Sequence, residues 1–319
     1  MSSSMTPLAD DVAIESFEIW STSAVLGVTD PSKLSAARSI LDGFLRSTER
    51  AASRFHEGTE IISLNAAAGM GPVPVSAVLF DLVEVAIDAA RKTSGACDPT
   101  VADAVIAQGY DDDFDLLPED RDAPRAVQVP GTAGITLDRA TSTISLPLDV
   151  HLDLGATAKA RTADLAALAI AEQLGCGALV DLGGDLRIAG PVPHGGWRIG
   201  ITDQARTLTT NSVAETVAVT AGGIASSSSR VRTWRAGGME RHHVIDPATG
   251  ESANTPWRMV SIAAATATEA NALSTAALVW GDEALFELPQ RNIAARLVRH
   301  DGTIERVGGW PEPIAEDRS

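Results

Sequence analysis

At 319 residues, with 45% hydrophobic and 21% charged side chains, the chain has an ordinary globular composition and can bury one large core or two lobes sharing an interface. Its formal net charge of −17 opposes phosphate backbones and anionic lipid, which argues against nucleic-acid or membrane-surface binding. An anionic ligand requires a local positive pocket set against that field.

No segment approaches 18 uninterrupted apolar residues, so no membrane insertion is expected. Cys97 and Cys176 show neither zinc nor disulfide spacing, and the N-terminal segment has no basic start followed by an apolar run. A cytoplasmic location is the resulting expectation. Residues 1–12 read as a disordered tail, 13–307 as a single domain whose lobes meet near 110–130, and 308–319 as a C-terminal tail.

In chain order, 17–28 reads as one strand, and 31–55 carries helical spacing with Pro31 near its start. Residues 76–95 form an amphipathic helix that Ser76 can cap and Gly95 can end. The acidic stretch 110–125 reads as a solvated loop. "GITLDRATSTISLP" (134–147) gives two short strands around a polar turn. Residues 152–175 pass from strand through Gly155 into a helix closed by Gly175. "GALVDLGGDLRIAG" (177–190) is strand, glycine turn, strand; 195–203 and 215–228 add further strands, and a last helix spans roughly 267–280. Helices and hairpins alternate without a βαβ rhythm. The expected fold is α+β, with mixed, largely antiparallel sheets and packed helices in two intimately associated lobes.

Several segments carry chemistry beside a plain structural reading. A helix starting near Ala156 would present unpaired N–H groups and partial positive charge to a phosphate, with Lys159 in its first turn; it is equally an ordinary strand-to-helix connection. Gly183 and Gly184 permit close backbone approach, and Asp185 can bond a ligand or cap a hairpin. The serines of 226–229, with Arg230 and Arg232, suit a phosphate or serve as a polar loop. "TATE" (266–269) is a capping-box pattern, and behind it Asn271 and Thr275 share one helical face where two side-chain oxygens can meet a hard cation. In "HHVIDPATGE" (242–251), His243 and Asp246 read either as a base with its orienting partner or as parts of a tight turn.

Taken together and in this order, the segments resemble the ApbE family of FAD:protein FMN transferases. "SRFHEGTEIISLNAAAG" (53–69), "TSGACDPTV" (93–101), "LDLGATAKARTAD" (152–164), "LVDLGGDLRIAG" (179–190), "IASSSS" (224–229), "HHVIDPATG" (242–250) and "TEANALSTAALVWG" (268–281) are each similar to a family segment. The resemblance implies a T-fold-like architecture and transfer of FMN from FAD to a Ser or Thr hydroxyl of an acceptor protein, with release of AMP. It implies FAD contacts at Asn65, Asp98, Lys159, Asp164, Gly183, Gly184, Asp185, Ser227 and His243. His243 would be the general base and Asp246 its orienting or turn-shaping partner. Mg2+ would be held by the Ala156 carbonyl, Asn271 and Thr275.

The chain departs from the family pattern in several places. Asn271 stands where the family has aspartate, which replaces a negative ligand by a neutral carbonyl. Cys97 takes a position that is usually aromatic, and Ala160, Ser228 and Ala248 replace two glycines and an arginine. Two further functions stay open on this reading: an FAD pyrophosphatase releasing FMN and AMP, and a non-catalytic FAD-binding protein.

Overall fold

The computed structural model describes residues 12–112, 120–203 and 213–314. Most of the expected N-terminal tail and of the middle of the acidic 110–125 stretch lies outside these residues.

Eight strands form the central sheet: β1 (Ala13–Ile19), β2 (Thr22–Val28), β3 (Ala178–Leu182), β4 (Asp185–Ala189), β5 (Gly222–Ser228), β6 (Trp257–Ala264), β7 (Ala294–Arg299) and β8 (Ile304–Val307). They lie side by side in chain order, and every neighbouring pair is antiparallel. The α+β, largely antiparallel expectation therefore holds. One region differs: 17–28 holds the end of β1, a turn and β2, a hairpin rather than one strand. Its turn residues Trp20 and Ser21 both take left-handed φ, 51° and 55°, a conformation the sequence does not advertise because neither is Gly, Asn or Asp.

Period-two alternation places the two faces of the sheet. Ala24, Leu26 and Val28 pack with Ala178, Val180 and Leu182 beneath two helices, α1 (Leu34–Ala52) and α5 (Ala158–Leu174). Val25 and Leu179 face the other way, into a core shared with the two-stranded sheet of Trp197–Thr202 and Val213–Val219. Gly27 is required there: a Cβ would lie 2.9 Å from the Trp197 ring. Further along the sheet, α6 (Ala267–Trp280) covers β5, β6 and β7 through Ala270, Leu273 and Ala277. The long excursion between β2 and β3 builds a second core from α2 (Glu60–Ala66), α3 (Ala77–Lys92) and the small strands Val73–Pro74, Thr136–Asp138 and Thr143–Ser145, and carries the short helix α4 (Ala102–Ala107). Ser76 caps α3 as expected, its hydroxyl accepting from the Leu79 amide.

One local expectation changes. Residues 152–154 form no strand, although Leu152 and Leu154 are buried core residues. The segment is pinned instead by Asn65, whose side chain exchanges two hydrogen bonds with the Leu152 backbone (2.9 and 3.0 Å). The start of the expected tail is also tied down: Trp310 is buried and donates its indole N–H to Glu215, and the Ile314 amide bonds Thr216. No helix among the described residues is long and apolar enough to cross a membrane.

Candidate active site

The excursion between β2 and β3 meets the central sheet around a cavity of about 730 Å3, within the usual range for small-molecule sites. Its walls come from the β1–β2 turn, the C-terminal end of α1, residues 96–99, the 152–159 segment, the ends of β4 and β5, and one face of α6. His243 projects into it from the loop after the strand Met239–His242.

The local fold explains why His243, rather than His242, reaches the cavity. Adjacent residues on extended backbone point to opposite sides. The His242 ring is fixed outside the cavity, Nε2 on the Ala253 carbonyl (2.9 Å) and Nδ1 toward the Val244 amide (3.3 Å). Beyond His243 the chain reverses through a turn in which the Asp246 carbonyl accepts from the amides of Thr249 and Gly250 (3.1 and 2.8 Å). The Asp246 carboxylate accepts from the Ala248 amide (2.9 Å). Gly250 is obligatory: its φ is +70°, and a Cβ would sit 1.9 Å from the Val127 carbonyl oxygen. Asp246 is thus committed to the turn, and among the described residues it makes no hydrogen bond to the His243 ring.

Burial drives the His243 pKa well below the usual histidine value, and the positive charge of Arg232, the neighbouring His242 and Lys159 push the same way; the Arg232 backbone opposes weakly. The ring is therefore neutral at pH 7. Nδ1 is sealed from solvent and completes no hydrogen bond among the described residues, which leaves Nε2 as the nitrogen available to the cavity.

The same cavity is lined by a cluster of oxygens. Asp185, the first residue of β4, is 2% exposed, and its Oδ1 accepts from Asn271 Nδ2 at 2.6 Å. Asn271 Oδ1 faces Thr275 Oγ1 at 3.3 Å, and Thr275 Oγ1 in turn lies 3.2 Å from Ser227 Oγ. Ser227 also bonds Ser274 at 2.7 Å. Asp185 Oδ2 is buried with no hydrogen bond; its nearest cation is Lys159 Nζ, 3.4 Å away. Burial raises the Asp185 pKa, Lys159 opposes this, and Asp181 adds to it. The N-cap bond expected at the start of α6 forms, Thr266 Oγ1 accepting from the Glu269 amide at 3.0 Å.

The α5 N-terminus also faces this space, two residues later than expected. The helix begins at Ala158, because a turn over 155–157 bonds the amides of Thr157 and Ala158 to the Leu154 carbonyl. Thr157, its N-cap, lines the cavity with a buried hydroxyl that has no partner among the described residues. An unpartnered donor, Lys159 and a helix N-terminus together suit an anion.

Asp98, Ala156, Lys159, Gly183, Asp185, Ser227, His243, Asn271 and Thr275 all line the cavity. Asp98 does so with Oδ1 engaged by the Thr100 amide and hydroxyl (2.8 and 2.7 Å). Four expected residues stand outside the lining, each with a structural task. Asn65 holds the 152 segment, Gly184 donates its amide to Asp181 (2.7 Å), and Asp246 shapes its turn. Asp164 caps α6: it is 2% exposed and accepts from the amides of Ala267 and Thr268 (2.9 and 3.0 Å) and from the Thr268 hydroxyl (2.6 Å).

Sequence reasoning missed the β1–β2 turn as a cavity wall, together with Arg54 and Tyr110, which line one side with Arg232. Arg54 stacks over the Phe55 and Tyr110 rings (4.3 and 4.4 Å), and Arg232 Nη1 donates to the Tyr110 hydroxyl (3.2 Å). Only the alternation of basic and aromatic residues around 54–55 and 230–234 hinted at this wall.

The ApbE family model matches residues 20–297. The FAD:protein FMN transferase of Treponema pallidum (strain Nichols) is 30% identical over 292 residues, covering 82% of this chain and 79% of that protein. The Klebsiella pneumoniae (strain 342) FAD:protein FMN transferase is 28% identical, covering 91% and 83%. Among solved structures, the ApbE protein of Thermotoga maritima superposes with a TM-score of 0.80 at 23% identity, covering 92% of this chain and 96% of that one, a likeness of fold. The chain belongs to the ApbE family.

Proposed function

We propose that the protein is an FAD:protein FMN transferase, which joins the FMN part of FAD to a Ser or Thr hydroxyl of an acceptor flavoprotein and releases AMP. The relatives named for this activity support the reading. The observation that carries it is one cavity holding a neutral, buried His243 together with a helix N-terminus, Lys159 and a buried oxygen cluster.

The reaction breaks one P–O bond and forms another. The acceptor oxygen attacks the phosphorus on the FMN side of the diphosphate, and the bond to the AMP oxygen breaks. The acceptor hydroxyl gives its proton to Nε2 of His243, which its lowered pKa keeps unprotonated at neutral pH. Lys159 and the α5 N-terminus hold the anionic diphosphate and then the departing AMP charge. The low-dielectric wall that depresses the His243 pKa also strengthens these charge contacts. The Arg54–Tyr110–Arg232 wall offers planar, cation-backed surfaces for a ring of the dinucleotide.

Mg2+ fits the donors present. Asp185 Oδ2 is a buried carboxylate oxygen with no hydrogen bond, and Asn271 Oδ1, Thr275 Oγ1 and the Ala156 backbone border the same cavity. These are hard oxygen ligands with a single formal charge, suited to an ion that completes its shell with water and substrate phosphate. When bound, the ion supplies charge neutralisation to the diphosphate. A reducing, cytoplasmic setting belongs to the same proposal and is supported by two buried, unpaired cysteines.

The test is incubation with FAD and Mg2+, with and without an acceptor protein, followed by in-gel flavin fluorescence and AMP quantification. Transfer predicts a fluorescent acceptor band that His243→Ala abolishes. AMP release at full rate without acceptor would identify a pyrophosphatase instead, and tight FAD binding without AMP would identify a binding protein.

A further inference from the structure

Among the described residues, Asp185 is the one buried carboxylate bordering the cavity, and its charge is thinly compensated. Asp98 is bonded to Thr100, and Asp153 has both the Gly155 amide at 2.7 Å and Arg54 at 3.1 Å. Asp185 has a neutral amide on Oδ1 and only Lys159, at 3.4 Å, near Oδ2. A side chain 3% exposed carries this charge, and an uncompensated buried carboxylate is costly. The separation exceeds the roughly 2.7–2.9 Å of a charge-assisted hydrogen bond, so Lys159 neutralises Asp185 without being locked to it. The Lys159 ammonium also lies 3.5 Å from the Gly155 carbonyl, next to Ala156. It thus sits against Asp185 Oδ2, the charged oxygen that a hard cation would use.

We propose that Lys159 is a placeholder for the divalent cation: ammonium and metal compete for Asp185 Oδ2, and an arriving diphosphate relieves the competition by drawing Lys159 to itself. This rests on the transferase reading of the site. A metal bound at about 2.0–2.1 Å from Oδ2 and an ammonium 3.4 Å from the same atom repel each other, so one must leave. The lysine stem is flexible, its side chain is 23% exposed, and the diphosphate offers it a doubly charged partner. Cation and diphosphate therefore bind with positive coupling, and the ligand-free protein binds the cation weakly. Asn271 contributes by fixing Asp185: with Nδ2 committed to Oδ1, the carboxylate turns Oδ2 toward Lys159.

The experiment titrates Mn2+ into FAD-free protein and follows free Mn2+ by electron paramagnetic resonance. Lys159→Met is expected to bind Mn2+ at least tenfold more tightly than the parent, equivalent to about 1.4 kcal/mol. Lys159→Arg keeps the competing charge and is expected to show no such gain. Arg232→Met removes one positive charge from the same cavity without touching Asp185, and should change affinity less than threefold. A Lys159→Met protein no tighter than the parent, or an Arg232→Met protein equally tightened, overturns the proposal. Thermal melting checks folding, and Lys159→Gln replaces the Met variant if that one does not fold. These readouts require no turnover, so their failure leaves FMN transfer standing, whereas failure of the transferase reading shows as absent AMP and flavinylation in the parent enzyme.

Discussion

Replacing Asn271 by Asp puts a second carboxylate where Asn271 Nδ2 now meets Asp185 Oδ1 at 2.6 Å. Two unit charges at that separation repel by about 6 kcal/mol at an effective dielectric constant near 20. Keeping one proton at pH 7 on a carboxyl of ordinary pKa near 4 costs only about 4 kcal/mol, at roughly 1.4 kcal/mol per pH unit. The smaller cost wins, so the metal-free variant carries one shared proton at neutral pH, as paired carboxylates do. Divalent metal then expels that proton and gains a formal charge, with affinity rising about tenfold or more above the pair's pKa. The assay is isothermal titration of Mg2+ in two buffers of different ionisation enthalpy, which counts protons released per ion. The variant should release close to one proton more than the parent. Unchanged affinity together with unchanged proton release would refute the placement of the cation beside Asn271 and Asp185. The shared proton also fixes a stability trend: because the folded-state pKa is raised, stabilisation of the metal-free variant is greatest in acid and is lost as pH rises through that pKa.

Further outcomes follow from the same geometry. His243→Gln should lower kcat by about 10²–10⁴, the usual contribution of a positioned base, with FAD affinity little changed; equal falls in kcat and FAD affinity would point to a binding role. In the parent enzyme the depressed His243 pKa should keep the acid limb of the kcat/KM–pH profile well below pH 6.5, and a limb at or above 6.5 would contradict the burial argument. By the same linkage, the buried neutral ring costs stability as pH falls below the unfolded histidine pKa, because the unfolded chain takes up the proton first. Asp164→Ala should destabilise the fold by about 3–5 kcal/mol, since it leaves buried donors of α6 unpaired and the partially buried Arg187 without its carboxylate, and thermal melting should show the loss. Gly250→Ala should lower kcat by displacing the His243 turn against Val127, and full activity in that variant would mean the turn does not position the base.

Local signals made much of this fold and site legible. The Thr266 cap, the Ser76 cap and the glycine hairpin between β3 and β4 depend on neighbours within a few residues, and the structure forms all three. The β1–β2 turn was not legible, because its left-handed residues are Trp20 and Ser21. Residues 152–154 read as a strand from their apolar alternation, yet their backbone partners are the Asn65 side chain and the Pro99 carbonyl, far away in sequence. Asp164 lies in a segment that looks like ligand-binding sequence, and only tertiary structure reveals that α6, about a hundred residues on, consumes its carboxylate. The same distance hides the Asn271–Asp185 bond, which makes the asparagine a partner of the carboxylate rather than only a weaker version of one.

The most direct test of FMN transfer is stoichiometry: FAD, Mg2+ and an acceptor protein incubated with the enzyme, with AMP measured by chromatography and covalent flavin by mass spectrometry of the acceptor. The account predicts one AMP per flavin, the flavin attached as a phosphoester to a Ser or Thr, and both products lost in His243→Ala. AMP formed in excess of bound flavin, or a flavinylated acceptor produced undiminished by the His243→Ala enzyme, would contradict it.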